Sequence, residues 1–161
     1  MAIGVYSLFG ASTAMTISLN GLANSSVGVG RQSAQVVNTG SPSSNEGAQL
    51  VRVFYQITVG TTPTANTGIT FYLLQYDGPT GSINVATDGA AGSDAAITIT
   101  TASIAGVLTV PAATSNVPYQ GSFVIRNPGP YWGIAVVNNS GVALAGSGQV
   151  LRYIIENVST P

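Results

Sequence analysis

Asp88 and Asp94, at the two ends of Asp88-Gly89-Ala90-Ala91-Gly92-Ser93-Asp94, are the closest pair of carboxylates in this chain and the one spacing that invites chemistry. Two carboxylates can divide the roles of general acid and general base. Carboxylates and backbone carbonyls in a glycine-rich turn can also ligate calcium, but this stretch lacks the alternating acidic positions and terminal glutamate of an EF-hand loop. The plainer reading is two solvated turn aspartates. Serine and threonine are abundant, yet a hydroxyl becomes a nucleophile only beside an activating base. The chain has no histidine, no cysteine and no lysine. The same gaps remove imidazole and thiolate metal ligands and any disulfide framework. We therefore expect no enzyme activity, no cofactor and no metal. Gly28-Val29-Gly30 resembles half of a phosphate loop, but no lysine and no helical pattern follow it, so it reads as a glycine pair in a strand or turn.

The charged residues are Arg31, Arg52, Arg126 and Arg152 against Glu46, Asp77, Asp88, Asp94 and Glu156, a net charge of −1. Nucleic-acid binding needs a basic patch that displaces counterions from phosphate, and four arginines scattered along the chain do not supply one. No nucleic-acid partner is expected. A disordered chain would be poor in apolar residues and high in net charge, whereas this one is 45% hydrophobic. It should fold, and 161 residues suit one independent core. A surface so close to neutral offers little repulsion against its own copies, which favours self-association. The first charge is Arg31, so the start lacks the basic n-region of a secretory signal, and residues 1–30 read as mature protein. The longest apolar run is Tyr131 to Val137, far short of the roughly 18 residues a membrane helix needs. We expect a soluble chain with no membrane partner.

The elements that position these residues show a period of two. Over Leu50 to Val59, Val51, Val53, Tyr55, Ile57 and Val59 fall on one face, with Leu50, Arg52, Phe54, Gln56 and Thr58 on the other, because successive side chains in a strand point to opposite sides. The second face is itself partly apolar, which suggests a covered strand. Further strands are expected at Met15–Asn20, Ala34–Asn38, Ile69–Tyr76, Ser82–Ala86, Ala95–Thr100, Ile104–Val110, Tyr119–Arg126, Tyr131–Asn138 and Gln149–Asn157. Turn-forming clusters separate them: Asp77-Gly78-Pro79-Thr80-Gly81, Asp88-Gly89, Asn127-Pro128-Gly129-Pro130, and Asn139-Ser140-Gly141 as a hairpin turn. Residues 39–48 and 60–68 read as surface loops. Many short strands with no helical periodicity predict an all-β antiparallel sandwich, and an eight-stranded jelly roll suits the strand count.

Within that frame, residues 1–14 carry Ile3, Val5, Tyr6, Leu8 and Phe9 without a charge. They form either an N-terminal arm that docks on a neighbour or the first strand, with residues 15–161 as the sandwich domain. Tyr131-Trp132 follows a rigid turn, and alternation sends one ring inward and the other outward. The pair can serve the core, an intersubunit contact or a sugar stack. Arg152 and Glu156 share a face with Val150, Ile154 and Val158, where they are either solvated or paired with a charge from a neighbouring strand or subunit. The candidate interface residues are thus Ile3, Tyr6, Phe9, Tyr131, Trp132, Arg152 and Glu156. Asn-x-Ser/Thr triplets at Asn24, Asn138 and Asn157 need no explanation beyond composition.

The neutral, lysine-free composition rich in Gly, Ser, Thr and Asn, the uncharged start Met1-Ala2-Ile3-Gly4-Val5-Tyr6, and the closing strand Val150-Leu151-Arg152-Tyr153-Ile154-Ile155-Glu156-Asn157 resemble the capsid decoration, or cement, proteins of tailed bacteriophages. The resemblance spans the chain in style and contains no diagnostic motif. It implies a β-sandwich or jelly-roll homotrimer on the outer capsid surface of the virion, bracing subunits of the major capsid protein, in some cases with an N-terminal arm over the shell. Two other expectations remain beside it. One is a carbohydrate- or receptor-binding jelly roll of the tail-fibre or lectin kind that uses Tyr131 and Trp132. The other is a self-assembling coat protein, for which an interior basic arm is missing.

Overall fold

The computed structural model describes residues 6–25, 29–38, 49–76, 78, 95–96 and 103–159. The strands are β1 (Tyr6–Phe9), β2 (Thr13–Ala14), β3 (Val29–Gln32), β4 (Val36–Val37), β5 (Leu50–Thr58), β6 (Thr67–Tyr76), β7 (Ala95–Ala96), β8 (Ser103–Val110), β9 (Pro118–Arg126), β10 (Tyr131–Asn139) and β11 (Val150–Ser159). The fold is all-β, an antiparallel sandwich of two sheets. The first sheet runs β1-β11-β5-β9, with β2 also on β11. The second runs β7-β3-β10-β6-β8, with β4 also on β10.

Apart from the two-residue β7, which pairs with β3, the pairing follows one rule. β1 and β2 lie end to end along β11, and β3 and β4 lie end to end along β10. Counting each of these as one interrupted strand, the chain pairs its ends first and works inward: β1/β2 with β11, β3/β4 with β10, β5 with β9, and β6 with β8. Successive rungs of this long antiparallel hairpin alternate between the two sheets. The β11–β5 and β10–β6 ladders then join rungs within each sheet. The Asn127-Pro128-Gly129-Pro130 turn carries β9 to β10 with Asn127 at φ 49° and Gly129 at φ 85°, conformations that Asn and Gly tolerate best.

Alternation along the central strands fills the space between the sheets. Val51, Val53 and Ile57 of β5, Ile69 and Phe71 of β6, and Trp132, Ile134 and Val136 of β10 are completely buried. Three aromatic contacts clamp the layers. Tyr55 of β5 stacks on Phe71 of β6 at 4.9 Å between centroids, and Phe123 of β9 lies 5.2 Å from Phe71. Trp132 of β10 meets Tyr153 of β11 edge to face at 5.3 Å, a favoured aromatic geometry. Glycines make room for these rings: a β-carbon at Gly106 would lie 2.6 Å from Phe123, and one at Gly121 would lie 2.6 Å from Cζ of Tyr55.

Three local expectations are corrected. Met15–Asn20 is not a strand. Met15, Leu19 and Leu22 drop into the core from an irregular segment, and the carbonyls of Ser18 and Asn20 are satisfied by Arg31 at 3.0 and 2.9 Å instead of by a neighbouring strand. The Asn139-Ser140-Gly141 turn is present, with Gly141 at φ 86°, but it does not make a hairpin, because β10 and β11 belong to different sheets. Of the Ala34–Asn38 strand, only Val36–Val37 pairs, and Val29–Gln32 supplies the longer strand upstream. Ser82–Ala86 lies outside the described residues.

The buried Asn138 side chain ties this end together. Its Nδ2 donates to the carbonyls of Leu22 and Val142, and its Oδ1 accepts from the Ser140 amide. Its burial also takes it out of consideration as a glycan acceptor. Removing it strands these groups, so Asn138→Ala is expected to cost about 1–3 kcal/mol. Trp132→Ala, which empties the centre of the core, is expected to cost about 3–5 kcal/mol. Denaturant unfolding of the two variants checks both values and their order.

Candidate functional site

The outer face of the first sheet gathers the charges. Register places Arg52 opposite Val124 and Ile154, Phe54 opposite Ser122 and Arg152, Gln56 opposite Gln120 and Val150, and Leu50 opposite Arg126 and Glu156. All of these side chains project away from the core, because Val51, Val53 and Ile57 between them point inward. Among the described residues the charged side chains are Arg31, Arg52, Arg126, Arg152 and Glu156. Arg31 is buried, and the other four share this face. The arginines that are scattered in sequence are therefore gathered in space. Three arginines against one glutamate leave the described face at +2.

Two of those arginines are held. Arg52 Nε donates to Glu156 Oε1 at 2.7 Å, a diagonal pair across the β5–β11 ladder of the kind sheet faces favour. The hydrogen bond and the charge of Glu156 raise the Arg52 pKa further above its ordinary value. Arg152 turns toward the N-terminal edge, donating from Nε to Ser12 Oγ at 2.9 Å and from a terminal nitrogen to the Ser12 carbonyl at 2.8 Å. It thereby pins the break between β1 and β2 onto β11.

The structure divides the candidate interface residues into two places. Tyr6, Phe9, Arg152 and Glu156 all lie on the N-terminal edge ladder of the first sheet but are spread along it: Tyr6 pairs with Ser159, Phe9 with Glu156 and Arg152 with Ala14. Residues 6–14 run as strand, break and strand along β11. Phe9 is 68% exposed, the most exposed large apolar side chain among the described residues. Ile3 lies outside the described residues, as do Glu46, Asp77, Asp88 and Asp94. Tyr131 and Trp132 sit in the second sheet beside Val37, Val36, Tyr76 and Gln75. Trp132 has no exposed surface, so neither a partner nor a sugar can reach its ring. Tyr131 is the half-buried member of that pair.

Phe54, Gln56, Gln120 and Ser122 escaped the reading of the sequence. The second face of Leu50 to Val59 is not covered: Phe54 is 38% exposed, and with its neighbours it lines an open dish of about 500 Å³. The signal was present in Phe54 and Gln56 alternating with core residues, but whether that face meets solvent depends on what packs over the sheet. A smaller cleft lies where β8 and β9, the end strands of the two described sheets, approach, lined by Leu73, Ile104, Val124 and Arg126 among others.

No protein-family model matches the chain, and no curated protein matches it. No helix among the described residues is long and apolar enough to cross a membrane.

Burial raises the phenol pKa of Tyr55 and of Tyr76 above the ordinary value of 10.0. A group whose folded pKa is raised contributes stability that is complete below its unfolded pKa and is lost as pH rises through the folded value. With no histidine, cysteine or lysine, no side chain has an ordinary pKa between the carboxylates and tyrosine. Unfolding free energy is expected to stay level from neutral pH to about pH 10 and to fall above it. Tyr55→Phe should weaken that alkaline decline, which pH-dependent denaturant titration measures.

Proposed function

We propose that this chain is a non-enzymatic virion structural protein of the capsid decoration type, a jelly roll that binds the outer surface of an assembled capsid and stabilises the shell. The end-to-end pairing that alternates between sheets supports the jelly-roll reading, since that order rolls one long hairpin into two facing four-stranded layers. The observation that carries the docking role is the N-terminal edge of the first sheet. There Phe9 stands exposed on the outermost strand, beside Glu156 and in line with Arg152. An apolar ring flanked by ordered charges is suited to burial against a second protein.

On this reading the partners are the major capsid protein and two further copies of the chain. The protein binds only the assembled shell, so it stabilises the shell by mass action against disassembly. The sugar-stacking role considered for Trp132 loses its ring to the core.

Particles heated with the protein should disrupt at a higher temperature than particles without it, and an unchanged temperature would overturn the proposal. Burying one phenylalanine contributes about 1.5–3 kcal/mol. Phe9→Asp should therefore bind shells about tenfold or more weakly while unfolding like the parent chain, because Phe9 is outside the core. Light scattering of the purified protein should give the mass of a trimer.

A further inference from the structure

We infer that the dish on the outer face of the first sheet is a binding site for a neutral saccharide, separate from the edge proposed to meet the capsid. Two adjacent rows of the sheet build it. One row places Arg152, Phe54 and Ser122 side by side on β11, β5 and β9, and the next places Val150, Gln56 and Gln120. Phe54 and Val150 are both exposed, at 38% and 42%, and they form an apolar floor on neighbouring strands.

Beside that floor stands an ordered pair of amides. Gln120 Nε2 donates to Gln56 Oε1 at 2.6 Å, and Gln56 Nε2 donates to the Gly148 carbonyl at 3.1 Å. This relay fixes both side chains before any ligand arrives. It uses one proton of each amide nitrogen and one acceptor site on Gln56, so each amide keeps a second N–H and Gln120 keeps its own oxygen. The hydroxyl of Ser122 stands in the row with Phe54. A pyranose presents the complementary surface: an apolar C–H face that stacks on an aromatic ring, and a rim of hydroxyls that both donate and accept. A volume of about 500 Å³ falls within the size range of small-ligand sites.

Charge selects the ligand class. No charged residue lines the dish, although it lies on the face that carries every described surface charge. Arg152, its nearest charged neighbour in register, directs its guanidinium to Ser12, and Arg52 is engaged by Glu156. An acidic sugar or acidic peptide would find no free cation in the dish, whereas a neutral sugar needs none. From Val150 to Glu156 along β11 is about 20 Å at strand rise. That distance separates the dish from Phe9 along the same face.

The test is a titration of the labelled protein with cellobiose, lactose, maltose and N,N′-diacetylchitobiose, followed by amide NMR. At least one should shift the side-chain amides of Gln56 and Gln120 and the backbone of Ser122, with a dissociation constant in the millimolar range or tighter. Phe54→Ala and Gln120→Ala should each weaken that binding about tenfold, Phe54→Trp should retain it, and Phe9→Asp should leave it unchanged. Native spectra of the variants establish that they fold. The proposal is overturned if none of the four sugars shifts these resonances at about 10 mM, or if the shifts map elsewhere. It is equally overturned if Phe54→Ala binds as the parent does, or if the dish responds only to peptide or to rising protein concentration. Capsid stabilisation is unaffected by any of these outcomes, so the two readings stand or fall separately.

Discussion

The apolar layer between the two sheets is the constraint on which the rest of this protein depends. The chain has no cysteine and few charges, so no covalent link joins the layers, and among the described residues no ion pair crosses between them. The sheets are joined by interdigitated side chains. Trp132 against Tyr153 links β10 to β11, and Tyr55, Phe71 and Phe123 link β5 and β9 to β6. The Trp132–Tyr153, Tyr55–Phe71 and Phe123–Phe71 contacts cross from one sheet to the other. They brace the rolled pairing at separate points in the core, and Gly106 and Gly121 are small because the rings fill their space.

Polar fastening is done mainly by neutral groups. Asn138 closes the turn after β10 onto Leu22, and Gln149 bonds the Thr58 amide and carbonyl together with the Ala145 and Ser147 carbonyls. Arg31 is the buried exception, a cation that satisfies the carbonyls of Ser18 and Asn20 in the irregular segment after β2. Amides serve this purpose well because each offers donors and acceptors together without the cost of desolvating a charge. The fold consequently leaves most of its described charge free for one exterior surface.

The outer face of the first sheet combines an ordered ion pair, a guanidinium tied to the N-terminal edge, an exposed ring at that edge and a neutral dish at the opposite end. A flat sheet face braced from behind by a packed core holds such groups at fixed spacing, because adjacent strands and alternate residues set the grid. The functional proposals both rest on that grid: one uses its edge and the other its interior.

The sequence by itself determined that this is an all-β protein. Alternation at Leu50–Val59 and short apolar runs at Ile69–Tyr76 and Tyr131–Asn138, bounded by Asn, Gly and Pro, leave little else that such residues can do, because side-chain period and run length are local properties of the strand. It also showed that one of Tyr131 and Trp132 must face inward, and that Arg152 and Glu156 share a face. Alternation does not say which face is covered. Phe54 reads as part of a covered face in sequence and stands exposed, whereas Met15 and Leu19 read as strand and instead plug the core from an irregular segment. Only the tertiary structure decided that Glu156 meets Arg52, that Gln56 meets Gln120, and that Trp132 is the buried ring. These contacts join residues far apart along the chain, and their partners are set by strand order and register, which no local spacing encodes.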